Sequence, residues 1–532
     1  MGPLVHRNRA LATAASLALC LALLSPASAP GNSAESCANS TQYAAFSKPL
    51  SKSDRFHHAL DRLTFGPRPG DYEQIQQTGL AKWIDLQLNP EKLEENPALE
   101  TRLAQLESNP PPEAAAGKPE MVAALDLSEE RILRAVYSTH QLQELLVDFW
   151  YNHFNVFLNK GADRFLVPAY EREAIRPHVF GKFYDLLLAT AQSPAMLFYL
   201  DNWQSVGPAS LAAQRSQIAR KVKRGLNENY GRELLELHTL GVDGGYTQQD
   251  VINVARCFTG WTIANPRQGG TFKYNDRMHD KGPKHVLGNE IPPGGGMDDG
   301  LKVLEILAHY PSTARFISLK LAQRFVADDP PPSLVNRMAD TFLRTGGDLR
   351  RVMAVMLRSP EFWSEGACRA KIKMPFEMIA SAARATNADV ASAVILVREL
   401  RKMGEPLYRK AEPTGYSSAN AEWVSSSSLL ERMNFALALT RNRLPGVRVD
   451  LSPWQELAQN DPLEVARSIL GRDPGAETRA AIEKELEATP PASEISNPQP
   501  EQQPSARGAA PLARDTSLIA ALVIGSPDFQ RH

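Results

Sequence analysis

The stretch Asn227-Glu228-Asn229-Tyr230-Gly231-Arg232-Glu233-Leu234-Leu235-Glu236-Leu237-His238-Thr239-Leu240-Gly241 holds the densest set of chemistry-bearing side chains in the sequence. Written on a helix, Asn229, Glu233 and Glu236 stand at i, i+4 and i+7, which lines an amide and two carboxylates along one face. Tyr230, Leu234 and Leu237 form the neighbouring apolar face, with His238 at its border. Carboxylates so placed could share a proton for acid and base work or ligate a hard divalent cation. The plainer alternative is that Arg232 pairs with Glu236 one turn on and the whole face is solvated or salt-bridged to another helix.

A second cluster, Asp148-Phe149-Trp150-Tyr151-Asn152-His153-Phe154-Asn155, puts Asp148, Asn152 and Asn155 on one face and His153 beside Phe149 on the apolar side. His153 there is either a ligand or proton shuttle, or a satisfied core histidine. The third is His279-Asp280-Lys281-Gly282-Pro283, where Gly282 and Pro283 put the His-Asp pair in a turn. Such a loop covers a site built by helices, or it is an Asx turn with an exposed histidine. The candidate set is therefore Glu233, Glu236 and His238 as catalytic groups and His153, Asn152, Asn229, Arg256, His279 and Asp280 as binding groups. A divalent metal is the cofactor this set could take, with its ligands undefined. The G-x-S-x-G elbow, the G-x-x-x-x-G-K-[ST] phosphate loop, the G-x-G-x-x-G turn and the H-E-x-x-H zinc helix are all absent, which disfavours the familiar hydrolase, nucleotide and metalloprotease classes.

The elements that must position these groups are mainly helices. Leu142, Leu145, Leu146, Phe149, His153 and Val156 recur at three- and four-residue steps within 128–157, with Ser138 and Gln141 spaced as a capping box. A helix over 226–240 ends at Gly241, and Thr247 with Asp250 caps another over 248–259, closed by Gly260. Helical periodicity continues at 299–309, 312–327, 333–345, 348–357, 374–386, 389–402, 427–441, 462–470 and 476–487. Strand signals are confined to Phe272–Tyr274 and His285–Leu287, which read as one small hairpin inserted among helices. The Ser-Pro steps at Ser193-Pro194, Ser359-Pro360 and Ser526-Pro527 read as repeated helix starts, serine capping and proline at the first helical position. The expected fold is a mainly α, multi-helix globular array with a hairpin insert.

The 532-residue chain opens with a basic region at His6, Arg7 and Arg9, an apolar run Leu11–Leu24 and the small-residue site Ala27-Ser28-Ala29. This is the pattern of a signal peptide cleaved after Ala29. The apolar run is too short to span a bilayer. The expected organisation is a signal peptide at 1–29, a tail at 30–52, a helical domain at 53–488 with a flexible loop at 109–119 and an insert at 265–297, a Pro/Gln-rich linker at 489–513, and a C-terminal helix at 514–532 that docks on the body. Export to the periplasm or beyond follows, with no membrane span in the mature chain. Lysine and arginine total 59 against 60 acids, a net charge of −1 that becomes −3 once Arg7 and Arg9 leave. Nucleic acid is not an expected partner, because phosphate binding needs a clustered cationic face. With 43% hydrophobic and 22% charged residues the chain is an ordinary globular one rather than a disordered one. The cysteines Cys37, Cys257 and Cys368 remain after the leader, an odd number without C-x-x-C; a Cys257–Cys368 bridge is open, and Cys257 reads equally as a small core residue.

Several segments form a familiar series: Leu63-Thr64-Phe65-Gly66-Pro67, Phe149-Trp150-Tyr151-Asn152-His153-Phe154, the Asn227–Gly241 helix, Phe258-Thr259-Gly260-Trp261, His279-Asp280 with Leu287-Gly288, Ser359-Pro360-Glu361-Phe362, Pro413-Thr414-Gly415-Tyr416 and Ser526-Pro527-Asp528-Phe529. In this order they resemble the domain of unknown function 1800 family of large exported bacterial proteins, over about residues 53 to 530. The resemblance implies a mainly helical fold and export, and carries over no catalytic residues. It also implies a partner, an exported protein of the domain of unknown function 1501 family, which resembles sulfatase and phosphatase folds. Gly231 departs from the family pattern, where alanine is usual and better for a helix by about 1 kcal/mol, and so does His285, where a small polar residue is usual. Two functions are therefore expected: an exported helical protein that acts with a partner in the cell envelope or, alternatively, a hydrolase, metal-assisted or not, built on the Glu/His cluster.

Overall fold

The computed structural model describes residues 42–108, 119–218, 225–266, 270–488 and 515–532. The expected signal peptide at 1–29, most of the expected tail, nearly all of the expected 109–119 loop and the expected 489–513 linker lie outside the described residues. Helices dominate, with three small two-stranded antiparallel sheets among the described residues. One apolar cluster runs from Ala59 to Phe529, inside a compact unit that spans Ala45–His532. No helix among the described residues is long and apolar enough to cross a membrane.

The helix Gln141–His153 is the central spoke. It buries Leu142, Leu145, Leu146, Phe149, Trp150 and Tyr151, and it also buries Glu144, Asp148 and His153. Its N-cap is His140 rather than Ser138: Ser138 accepts from the His140 N–H at 3.0 Å while the Gln141 amide turns back to the Ala135 and Ser138 carbonyls, so the expected capping box does not form. The buried acids are covered by arginines. Arg131, on the preceding helix Pro119–Tyr137, donates to Asp148 at 2.7 Å and to Glu171 at 2.8 Å, and the Tyr408 hydroxyl adds a 2.7 Å bond to Glu171. Burial works against the charged Glu171, yet Arg131 and Arg176 hold its carboxyl below the ordinary value.

The segment 229–239 is helical but changes pitch. It is α over Asn229–Glu233 and a wider π turn over Leu234–Thr239. That turn brings Leu234, Leu235, His238 and Thr239 inward, so His238 is a core residue rather than one on a border. Gly231 faces the next helix, Gln248–Cys257: an added Cβ would sit 3.0 Å from the Val251 carbonyl oxygen and the Ala255 nitrogen. Close helix approach, which an added Cβ would crowd, accompanies the lost helix propensity. The Thr247–Asp250 capping box is formed as the spacing predicts.

The insert holds two hairpins instead of one. Trp261–Ala264 pairs with Thr271–Tyr274, and Lys284–Val286 pairs with Asn289–Ile291. Both expected strand segments are present, but each takes a sequence neighbour as its partner. In the second hairpin Leu287 and Gly288 both have positive φ, 50° and 77°. That is the two-residue turn whose twist matches paired strands, and the Leu287 N–H is tied to Asp250 at 2.8 Å. The expected helix at 389–402 begins only at Val394, because Asp389–Val390 is a strand on Val447–Arg448.

The Ser-Pro steps each sit at a helix or turn start; Ser359 accepts from the Phe362 N–H at 3.2 Å, and Ser526 does the same for Phe529 at 3.4 Å. The last helices, Thr516–Gly525 and Pro527–Gln530, bury Ile519, Ala520, Ala521, Val523, Ile524 and Phe529. The C-terminal His532 is buried, exchanging backbone bonds with Lys371 at 2.9 and 3.2 Å. Cys257 and Cys368 are both free thiols, so the open bridge is not made; burial pushes the Cys257 thiol up to about 12.

Candidate functional site

The nine sequence-selected residues fall into three separate environments. On the 229–239 segment, Glu233 and Glu236 are half-buried neighbours. Burial first, and then the Glu236 charge, raise the Glu233 carboxyl above its ordinary value. Glu236 accepts from the Tyr246 hydroxyl at 3.1 Å. Arg232 turns away from Glu236: it lies 3.5 Å from Glu228 and donates to Gln248 at 2.8 Å. The exposed Asn229 has its N–H on Asn227 Oδ1 at 2.9 Å and starts the helix.

In the insert, Arg256, His279 and Asp280 form an internal clamp. Arg256 grips Asp280 with two nitrogens, at 3.0 and 3.1 Å, and a third nitrogen reaches Asn253 Oδ1 at 3.0 Å. Asp280 also accepts from the Gly282 N–H at 2.9 Å, the Asx turn that the Gly-Pro sequence suggests. His279 is buried, with Nδ1 2.8 Å from the Thr259 carbonyl oxygen and Nε2 3.1 Å from Asp299 Oδ2. Lys284, also buried, donates to Asp299 at 2.6 Å, to the Asp280 carbonyl at 2.5 Å and to the Gly282 carbonyl at 3.0 Å. Burial opposes the Asp299 charge, but the bonds from His279 and Lys284 keep its carboxyl below the ordinary value. The histidine is thus an inner strut, not an exposed turn residue. His285, by contrast, is exposed and faces Glu290 across the hairpin.

The third environment is a cavity of about 330 Å³ beside Asn152 and His153. Its walls come from the helix Gln141–His153, from Lys320, Gln323 and Arg324 on the helix Pro311–Phe325, and from the loop Thr414–Ala419. The loop is pinned to the helix at Gly415. Its φ is +70°, and a Cβ there would overlap the Asn152 carbonyl oxygen, so only glycine allows the approach. Next to it the Tyr416 N–H donates to Asn152 Oδ1 at 3.0 Å, and Asn155 donates to the Lys410 and Glu412 carbonyls at 3.0 and 2.8 Å. His153 lines the wall with its ring packed among Phe149, Trp150, Phe154 and Phe316. Its Nε2 is 3.0 Å from the His238 carbonyl oxygen. A carbonyl only accepts, so Nε2 carries the proton. Burial, reinforced by the Lys320 and His238 charges, pushes the His153 pKa well down, and His238 falls to about 3 through burial and Lys320. Both rings are neutral core groups at neutral pH.

No hydrogen bond or ion pair among the described residues joins Glu233, Glu236, His153 and His279 to one another. No group of three or more His, Cys, Asp or Glu side chains among those residues is placed to hold a metal ion. Lys320, Gln323, Ser417, Ser418, Lys284 and Asp299 are not among the sequence-selected residues. The only sign of the first two was their spacing with Phe316 at i, i+4 and i+7, an ordinary amphipathic pattern.

A mainly helical fold with small hairpins agrees with what the ordered motifs suggested. The family described as "Protein of unknown function (DUF1800)" matches residues 58–531, and the chain belongs to that family. No curated protein and no solved structure matches it.

Proposed function

We infer that the protein is an exported helical component of the cell envelope that acts by binding a partner, an exported protein of the domain of unknown function 1501 family. The supporting observation is a set of exposed large apolar side chains in the chain that follows the cavity loop. Val424, Leu429 and Leu430 are 43%, 45% and 60% exposed, and they lie C-terminal to the segment Thr414–Ala419 that lines the cavity. Exposed large apolar side chains grouped in one stretch of chain are candidates for a contact surface. Co-purification of the tagged full chain with the exported partner tests this. Capture is expected, with loss of at least about tenfold in affinity for Leu429→Glu/Leu430→Glu; capture that the double variant leaves unchanged contradicts it. Export is tested by N-terminal sequencing of the protein from the envelope fraction, where Pro30 is expected as the first residue and an intact leader on cytoplasmic protein is the contrary result.

One observation favours a second reading, a hydrolase. The raised carboxyl of Glu233 beside Glu236 is the environment in which one of two acids keeps a proton for transfer. The metal-assisted form has no ligand set among the described residues. An activity screen of the purified complex, with and without Glu233→Gln, decides it: loss of hydrolysis in the variant supports the reading, and unchanged hydrolysis ends it.

A further inference from the structure

The charges around the cavity do not balance, and the imbalance has a direction. Asp148 is matched by Arg131 at 2.7 Å, Arg324 by Glu377 at 2.5 Å, and Asp328 by Lys371. Lys320 has no carboxylate within ion-pair distance among the described residues. The contact found for it is the Phe316 ring, with Nζ 5.6 Å from the centroid. Burial alone acts on its ammonium and lowers its pKa, so the cation bears a desolvation cost that no protein anion offsets.

The remaining polar lining is neutral: the amides of Asn152 and Gln323 and the hydroxyls of Thr414, Ser417 and Ser418. Asn152 uses its oxygen on the Tyr416 N–H, which leaves its NH₂ group as a donor. Phe149 and Tyr416 add flat apolar faces. The volume is at the low end for small-molecule sites, and the wall is held in shape by the glycine contact and the Asn152 and Asn155 bonds already described.

We propose that this cavity is a binding site for a small polyhydroxylated organic anion of monosaccharide size, a sugar acid or a sugar phosphate, whose acidic group pairs with Lys320 while its hydroxyls meet the Asn152 and Gln323 amides and the Thr414, Ser417 and Ser418 hydroxyls. This site stands apart from the partner surface and does not depend on it. No bond is made or broken; the ligand is bound.

Calorimetric titration of the purified full chain with D-glucuronate, glucose 6-phosphate and neutral glucose tests it. At least one of the two anions is expected to bind at least about tenfold more tightly than glucose, because a charge-assisted bond to Lys320 separates them. Binding by glucuronate alone assigns a carboxylate ligand and by glucose 6-phosphate alone a phosphate ligand. Lys320→Gln is expected to remove that preference, and Lys320→Arg to restore part of it. Neither anion exceeding glucose, or a preference that survives Lys320→Gln, overturns the proposal. The wild-type comparison of anion with neutral sugar stands even if the variant does not fold.

Discussion

The insert clamp and the cavity beside Asn152 both gather charged side chains inside a helical body, and they differ in what those charges face. In the clamp, Lys284 and Asp299 have side chains 0% and 2% exposed and lie 2.6 Å apart, with His279 and two backbone carbonyls completing the set. Nothing there is left to offer a ligand. Around the cavity, each carboxylate and Arg324 has its counter-ion, and Lys320 does not. Buried charge that is paired belongs to the fold, and a half-buried cation that lines a cavity without a partner is where a ligand's charge is welcome. Two of the residues selected from sequence, His279 and Asp280, belong to the first kind.

The comparison breaks most visibly at Asp299. Asp299→Ala strands Lys284 in the interior and is expected to cost about 3 to 5 kcal/mol in urea unfolding; a loss below about 1 kcal/mol would mean the clamp is not a structural pair.

Asp163 sharpens it as a third case, a fully buried carboxyl with both oxygens unpartnered among the described residues. Burial raises it from 3.8 to about 9, against Lys160 and helped by Asp201. The folded state therefore keeps a proton that the unfolded state has released. Its contribution is present at low pH and is lost as pH rises from about 4 towards 9, by up to about 1.4 kcal/mol per pH unit. Asp163→Asn should be free of this loss, so its stability advantage over wild type widens between pH 6 and pH 8; parallel stability curves would refute the assignment.

Gly415→Ala attacks the cavity wall. Positive φ together with overlap on the Asn152 carbonyl is expected to cost about 2 kcal/mol and to weaken anion binding, and an unaltered melting temperature would show that the loop is not pinned. The smallest effect belongs to Asp276, whose pair with Lys281 at 2.6 Å is 56% and 59% exposed. Asp276→Ala should change stability by less than about 0.5 kcal/mol, although it lies in the same insert as the clamp.

Local features were legible in sequence. The Thr247–Asp250 cap, the helix ending at Gly241 and the strands at Phe272 and His285 follow from short-range patterns that survive folding. Strand pairing was misread because the Leu287-Gly288 turn, whose glycine is the visible signal, pairs its own two flanking segments. His238 looked peripheral because the reading assumed 3.6 residues per turn, whereas the segment is π-helical. The cavity was out of reach for a different reason. Asn152 and Tyr416 are 264 positions apart, and that Lys320 lacks a counter-ion is a property of the packed molecule which spacing does not encode.

The most direct test sets Lys320→Met beside Lys284→Met in equilibrium unfolding without ligand. Lys320→Met is expected to leave stability within about 0.5 kcal/mol of wild type or to raise it, since a desolvated, unpaired cation is removed. Lys284→Met should cost about 3 to 5 kcal/mol, because Asp299 and two carbonyls lose their donor. Equal, large losses in both variants would contradict the division between charge that builds the fold and charge held ready for a ligand.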